Sequence, residues 1–288
     1  MHFTPNTLSV HWRIALGAAH DALHAGAEYP GAGPLATEFR SRSARLTHER
    51  DEVQQLLESD ARVEHVHLVR QLAFPRVGRS QLGLPSDIAA CVFELDGVLT
   101  PSADLHFAAW ATVLDGHVAR VLRRADYEEH LHGRPRLDGL RTFLASCGLT
   151  LSEATIRELG DAKERALRSL LAREGIDAYA GAAHYLEALA GSGLGCAVVS
   201  PSANTEAIVQ RAGLVDLVDV VVGGRTAAEL VSAACEQLDV EPASIAAFET
   251  TAGGVDAARA AGVGYVVCVA GPPGADRLVD DLGELLAA

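Results

Sequence analysis

Two hydrophobic periodicities divide the chain near residue 80. Up to that point apolar positions recur three and four residues apart: Trp12, Leu16, Ala19 and Leu23, then Leu35, Phe39, Leu46, Val53 and Leu56. This is the spacing of helices that each present one apolar face. Tyr29-Pro30-Gly31-Ala32-Gly33-Pro34 breaks the two runs apart, Val66, Val69 and Leu72 suggest a third short helix, and Phe74-Pro75-Arg76-Val77-Gly78 reads as a linker. Residues 1–80 are therefore predicted to form an all-helical N-terminal extension, a hairpin or a small bundle.

From Ile88 onward the period changes. Short apolar, β-branched runs alternate with helical stretches: Cys91–Leu95, Cys196–Ser200, Val218–Val222, Ile245–Glu249 and Tyr265–Val269. Near-continuous apolar strands separated by helices indicate a parallel sheet covered on both faces. Between the first two runs lies an insert, Ala103 to Ala178, too long for a simple crossover. It carries Tyr127-Glu128-Glu129-His130-Leu131 and a helical stretch from Thr155 to Arg173. The predicted architecture is an α/β, Rossmann-like parallel sheet (81–102 and 179–288), an inserted helical cap (103–178) and the N-terminal extension (1–80). In such sheets ligands bind beyond the carboxyl ends of the strands, so the polar residues there are the candidates for chemistry.

Composition narrows the picture. The chain has 288 residues, 49% hydrophobic and 22% charged, which is the profile of a folded soluble protein rather than a disordered one. A net charge of −14 argues against a sequence-blind grip on nucleic acid or on an anionic membrane. No run of about 20 apolar residues and no charged-then-apolar leader is present, so the expectation is a cytoplasmic protein. The five cysteines form no CxxC pair and sit mostly in apolar runs, as small buried hydrophobes do in a reducing compartment. His20 and His24, four apart, could share a helix face, but no carboxylate stands at a fitting position, and solvated histidines are the simpler reading. Arg40-Ser41-Arg42-Ser43-Ala44-Arg45 reads as a wet helix face. One lysine exists in the chain, Lys163.

Several ordered motifs resemble the haloacid dehalogenase superfamily, in its β-phosphoglucomutase-like branch, over about residues 82–288. Phe93-Glu94-Leu95-Asp96-Gly97-Val98-Leu99-Thr100 is similar to the first motif, and Asp104 to Trp110 to the hinge and first cap helix that follow it. His132-Gly133-Arg134-Pro135-Arg136-Leu137-Asp138-Gly139 resembles the cap signature, and Leu159-Gly160-Asp161-Ala162-Lys163 a further cap segment. Val199-Ser200-Pro201-Ser202-Ala203-Asn204 matches the second motif, and Phe248-Glu249-Thr250-Thr251-Ala252-Gly253-Gly254-Val255 the fourth. The resemblance implies phosphoryl transfer. A carboxylate at position 94 attacks phosphorus, and Asp96 acts as general acid and base. Mg²⁺ is held by Glu94, Asp96 and Glu249, and Ser200 holds phosphate oxygens. It also implies that Arg136, Lys163, Ser202 and Asn204 bind a phosphorylated sugar.

The same motifs depart from the family at the reaction centre. Glu94 stands where the family has aspartate, which moves the carboxylate by about 1.5 Å on a fixed backbone, and about 1 Å of misplacement can cost about 100-fold in rate. Thr250 stands where the family has a metal-binding aspartate, so magnesium binding is expected to be weakened. The Gly-Lys-Pro loop of the third motif is missing between Gly224 and Val231, together with its lysine. Arg225 either reaches in as a substitute cation or is a solvent-facing loop residue. Bland roles also exist: Ser200 could only cap the next helix, and Asp96 could only brace the Asp-Gly turn. The expectation is a catalytically impaired protein that acts as a scaffold or binds a phosphosugar, with the N-terminal helices recruiting a protein partner. The alternative is a Mg²⁺-dependent sugar-phosphate phosphatase or phosphoglucomutase that uses Glu94 as its nucleophile.

Overall fold

A computed structural model describes residues 77–118 and 120–286. The expected N-terminal helices, and the protein partner assigned to them, lie outside the described residues apart from Val77–Ser80.

The chain enters its first strand, β1 (Ala90–Glu94), whose five residues are all buried. Alternation sends their side chains to opposite faces. Ala90 and Val92 join one apolar cluster, while Phe93 stacks on Phe248 with ring centroids 4.3 Å apart and meets Tyr185 edge-on at 6.1 Å. The chain then turns sharply. Gly97 has φ +89°, a backbone that favours glycine, and a β-carbon there would lie 3.2 Å from Thr250 Cγ2.

Four helices follow, α1 (Ser102–Leu114), α2 (Arg124–His130), α3 (Arg136–Ser146) and α4 (Glu153–Glu174). They form the helical cap. Ser152 caps α4, accepting from Thr155 N at 3.1 Å, and Gly175 ends it at φ +71°. Trp110, Leu114, Tyr127, Leu140, Phe143 and Leu159 fill the cap's own apolar centre. Burying six such side chains explains why these helices form a unit apart from the sheet.

The core resumes with α5 (Ala180–Ser192) and alternates strand and helix. The elements are β2 (Gly195–Ser200), α6 (Thr205–Arg211), β3 (Val220–Gly223), α7 (Ala227–Leu238), β4 (Ile245–Glu249), α8 (Ala252–Ala260), β5 (Tyr265–Val269) and β6 (Arg277–Val279). All six strands run parallel in the order β3-β2-β1-β4-β5-β6. The Rossmann-like parallel sheet with an inserted helical cap is thus observed. The strand expected over Val218–Val222 starts two residues later, because Asp219 is spent on Cys196, its backbone N–H donating to Cys196 O and its carboxylate accepting from Cys196 N at 2.8 Å. β6 has no counterpart in the sequence reading. Four of the five cysteines are buried. Among the described residues no helix is long and apolar enough to cross a membrane.

The order places β1 between β2 and β4. The carboxyl ends of these three strands therefore meet at the crevice where the chain reverses its direction of winding, beneath the cap.

Candidate active site

The crevice is built from the strand ends and their following turns. Glu94 ends β1, Ser200 ends β2 and Glu249 ends β4, and all three are buried, as is Asp96 in the turn after β1. Ser200 Oγ donates to Asp96 Oδ2 at 2.9 Å, and Ser102 Oγ donates to Asp96 Oδ1 from the start of α1. Burial opposes ionisation of Asp96. The field of His106 and the two hydroxyl donors outweigh it and hold the carboxyl below its ordinary range.

His106, on α1, is itself driven down to about 3 by burial and by the neighbouring charge of Lys163. It is therefore neutral at ordinary pH, and there the hydroxyls are what keep Asp96 anionic. Lys163 Nζ donates to His106 Nδ1 at 3.0 Å, and His106 Nε2 faces Asp96 Oδ1 at 4.0 Å. Lys163 is buried beside Trp110, with Nζ 5.9 Å from the ring centroid, and burial lowers it to about 8 against the pull of Glu164 and Asp96. The single lysine of the chain thus reaches from α4 to α1, where His106 stands between it and Asp96.

Glu94 points elsewhere. Its carboxyl is hydrogen-bonded to that of Glu249, and Thr250 Oγ1 lies 3.5 Å from Glu94 Oε2. Burial raises Glu94 well above the usual carboxylate range, reinforced by the charge of Glu249, and burial pushes Glu249 up to about 7. Two carboxyls buried side by side oppose each other's ionisation. Gly254 makes room for this pair: a β-carbon there would lie 2.1 Å from Glu249 Oε2.

As a magnesium site this donor set falls short. Of the three carboxylates expected to hold the ion, Glu94 and Glu249 are bonded to each other, and Asp96 is turned toward Ser102 and Ser200. Among the described residues no three His, Cys, Asp or Glu side chains converge to hold a metal. Thr250, a neutral hydroxyl, stands beside Glu94 where a further anionic ligand would strengthen the site.

Two cavities open from the crevice. The first, about 350 Å³, is lined by Asp96, His106, Arg136, Lys163, Glu164 and Ser202, with Arg134 and Arg141 at its border. The second, about 440 Å³, is lined by Glu94, Ser200, Glu249 and the starts of α7 and α8. His132, Gly133, Arg134 and Pro201 line both. The residues singled out in the sequence are thus split. Arg136, Lys163, Ser202 and Asp96 border one space, and Glu94, Ser200 and Glu249 the other. Asn204 is buried at the core side, where its Nδ2 donates to Glu164 Oε1. Arg136 Nη1 lies 2.5 Å from Glu164 Oε2 and its Nη2 3.3 Å from Asp161 Oδ1. Arg225 is exposed on the short link between β3 and α7 and lines neither cavity.

Three participants have no signature in residue spacing: Glu164 as the bridge between Arg136 and Asn204, His106 as the acceptor for Lys163, and His132 with an unpaired ring nitrogen. Glu164 follows Lys163 directly, and His106 and His132 fall inside the first cap helix and the cap signature, which are the hints the sequence offers.

Comparison with known proteins agrees with this architecture. The family described as haloacid dehalogenase-like hydrolase matches residues 88–262. A protein of Mycobacterium bovis named beta-phosphoglucomutase is 35% identical over 254 residues, covering 74% of this chain and 97% of the relative. The beta-phosphoglucomutase of Bacillus subtilis is 30% identical over 210 residues, covering 68% and 91%. Among solved structures, CbbY from Rhodobacter sphaeroides in complex with phosphate superposes with a TM-score of 0.61 at 27% identity, covering 69% of this chain and 96% of that one. With its parallel sheet, its cap inserted after β1 and its polar strand ends, the chain belongs to the haloacid dehalogenase-like hydrolases, in the β-phosphoglucomutase-like branch.

Proposed function

We propose that this protein binds a phosphorylated sugar in the cavity between cap and core, and that its capacity for phosphoryl transfer is much reduced. The observation that carries this reading is the division of the acidic residues. Asp96 borders the cavity that holds Arg136 and Lys163, while Glu94 borders the other and is bonded to Glu249. In-line attack needs nucleophile and general acid on the same phosphoryl group at about 3–3.5 Å. A Glu94 carboxyl whose ionisation is opposed by burial and by Glu249 is a far weaker nucleophile than a free carboxylate.

Binding is supported by the cationic lining of the first cavity, Arg134, Arg136, Arg141 and Lys163, which suits a dianionic phosphate. It is also supported by the relatives named for β-phosphoglucomutase and by the phosphate complex of CbbY. Magnesium, if it enters, would meet Glu94 and Glu249, and is expected to bind weakly. The cytoplasm is the proposed compartment, on the strength of the buried cysteines.

The test measures thermal stabilisation and phosphate release with a panel of hexose and pentose phosphates, with and without Mg²⁺, in wild type and Glu94→Gln. Stabilisation by a sugar phosphate, with release no faster in wild type than in the variant, is the expected result. Mg²⁺-dependent release that disappears in Glu94→Gln would overturn the impaired reading in favour of an active phosphatase or mutase. No stabilisation by any sugar phosphate would overturn the binding reading.

A further inference from the structure

His132 lies in the loop between α2 and α3, where it borders both cavities. Its side chain is 9% exposed, yet Nε2 has no hydrogen-bond partner. The other end of the ring is fixed: Nδ1 lies 2.9 Å from Glu128 Oε2, and the ring stacks on Tyr127 with centroids 5.5 Å apart and planes 20° apart. An imidazole whose Nδ1–H is committed to a carboxylate is locked in orientation, and Nε2 is left to meet whatever occupies the crevice.

A buried polar atom in a folded protein is nearly always paired, so an orphan that faces a cavity marks a place where something binds. The surroundings say what. Across the two cavities the floor is acidic: Asp96 on one side, Glu94 and Glu249 on the other. An anionic group can settle there only against a hydrogen-bond donor. Of the basic side chains lining the second cavity, among the described residues, Arg134 is exposed, while His132 is half-buried with its side chain 9% exposed. Lys163 is committed to His106 and belongs to the first cavity. His106 also has an unpaired Nε2, but that atom is aimed at Asp96.

The geometry points to His132 as a phosphate-binding residue that donates Nε2–H to an oxygen of a phosphomonoester lying where the two cavities join. This assignment rests on the reading that the crevice accepts a phosphorylated ligand. Glu128 then acts through His132 as a positioning residue, and an occupied site satisfies the His132 ring nitrogen that the fold leaves unpaired.

The experiment titrates inorganic phosphate calorimetrically into the full chain as wild type, His132→Gln and His132→Lys, with thermal unfolding run alongside to verify folding. Phosphate is expected to bind about tenfold or more weakly to His132→Gln, and to recover to within a few-fold of wild type in His132→Lys. A folded His132→Gln that binds phosphate as wild type does overturns the role of His132 and leaves the phosphate-binding reading standing. A folded wild type that binds no phosphate overturns both. Nitrogen-15 spectra of wild type provide a readout that needs no variant. Phosphate should bring a slowly exchanging Nε2–H signal into view, and its absence at saturation overturns the assignment even if His132→Gln fails to fold.

Discussion

Glu164 of the cap accepts a hydrogen bond from Asn204 of the core, and the same carboxylate holds Arg136 at 2.5 Å. One acidic side chain therefore occupies both a cationic and an amide partner at the border of cap and core. On the proposed binding reading, a ligand that takes Arg136 and Asn204 competes with Glu164 for both.

Removal of this internal competitor is expected to tighten binding. Glu164→Ala frees Arg136 and Asn204, and the affinity for a sugar phosphate should rise by about tenfold, a difference of about 1.4 kcal/mol. Calorimetry at constant ionic strength checks it. Unchanged or weaker binding would mean that Glu164 orders the arginine for the ligand instead of competing with it.

Lys163 provides a pH test in the alkaline range. Its folded value is about 8, against about 10.5 for the free side chain. Below pH 8 it is charged in both states, and the cost of its burial is fully present. Between pH 8 and 10.5 the unfolded chain binds more protons, so this contribution to stability rises with pH. The difference in unfolding free energy between wild type and Lys163→Met should shift in favour of wild type by about 3 kcal/mol across that window. A flat difference would place the ammonium in contact with water.

The Glu94–Glu249 pair acts in the opposite direction. Glu249 keeps its proton up to about pH 7 in the folded protein and loses it near 4.5 when unfolded. Stability is therefore lost as pH rises from 4.5 to 7. Measured in chelator by urea unfolding, wild type should lose stability relative to Glu249→Gln over this interval. Parallel curves would argue that the pair is hydrated or already ionised.

Asp126 is a structural counterpart. It accepts from Arg123 through side chain and backbone and from Arg120 at 2.8 Å, which ties down the start of α2. The hydrogen bonds from Arg123, then those from Arg120, hold its carboxyl below the ordinary range against burial. Its contribution is present above the unfolded value and lost as pH falls through the folded one. Asp126→Ala should cost about 1–2 kcal/mol at neutral pH, the loss of a helix-start acceptor. Since α2 leads into the loop of His132, phosphate affinity should fall with it. A variant as stable as wild type would relegate these ion pairs to surface decoration.

Much of this was legible in residue order, for a physical reason. Ile245–Glu249 and Tyr265–Val269 read as strands residue for residue, because central parallel strands are apolar on both faces. β6 escaped: of Arg277, Leu278 and Val279 only Val279 is buried, and three residues at a sheet edge carry no periodicity. Polar residues at strand ends, Asp96, Ser200 and Glu249, could be picked out because a parallel sheet gathers those ends on one side. Their pairings could not. Whether Glu94 turns toward Asp96 or toward Glu249 depends on side-chain direction and on the room left by Gly254. The bond between Lys163 and His106 spans 57 residues that only the packed cap brings together. Spacing names residue types, and partners emerge only from packing.

The central position of β1 carries a consequence for how this chain comes into being. The Ser200–Asp96 bond closes 104 residues and the Thr250–Glu94 contact closes 156, so a nascent chain has no crevice until residue 250 has left the ribosome. The cap helices, by contrast, are complete by Glu174 and close over shorter separations than the crevice does, so they can pack earlier. In hydrogen exchange, the amides of β1, flanked by a strand on each side, should be among the last to open, while α2 and α3 exchange sooner. The floor of the crevice is thus assembled late, beneath a roof whose parts are all synthesised before it is complete.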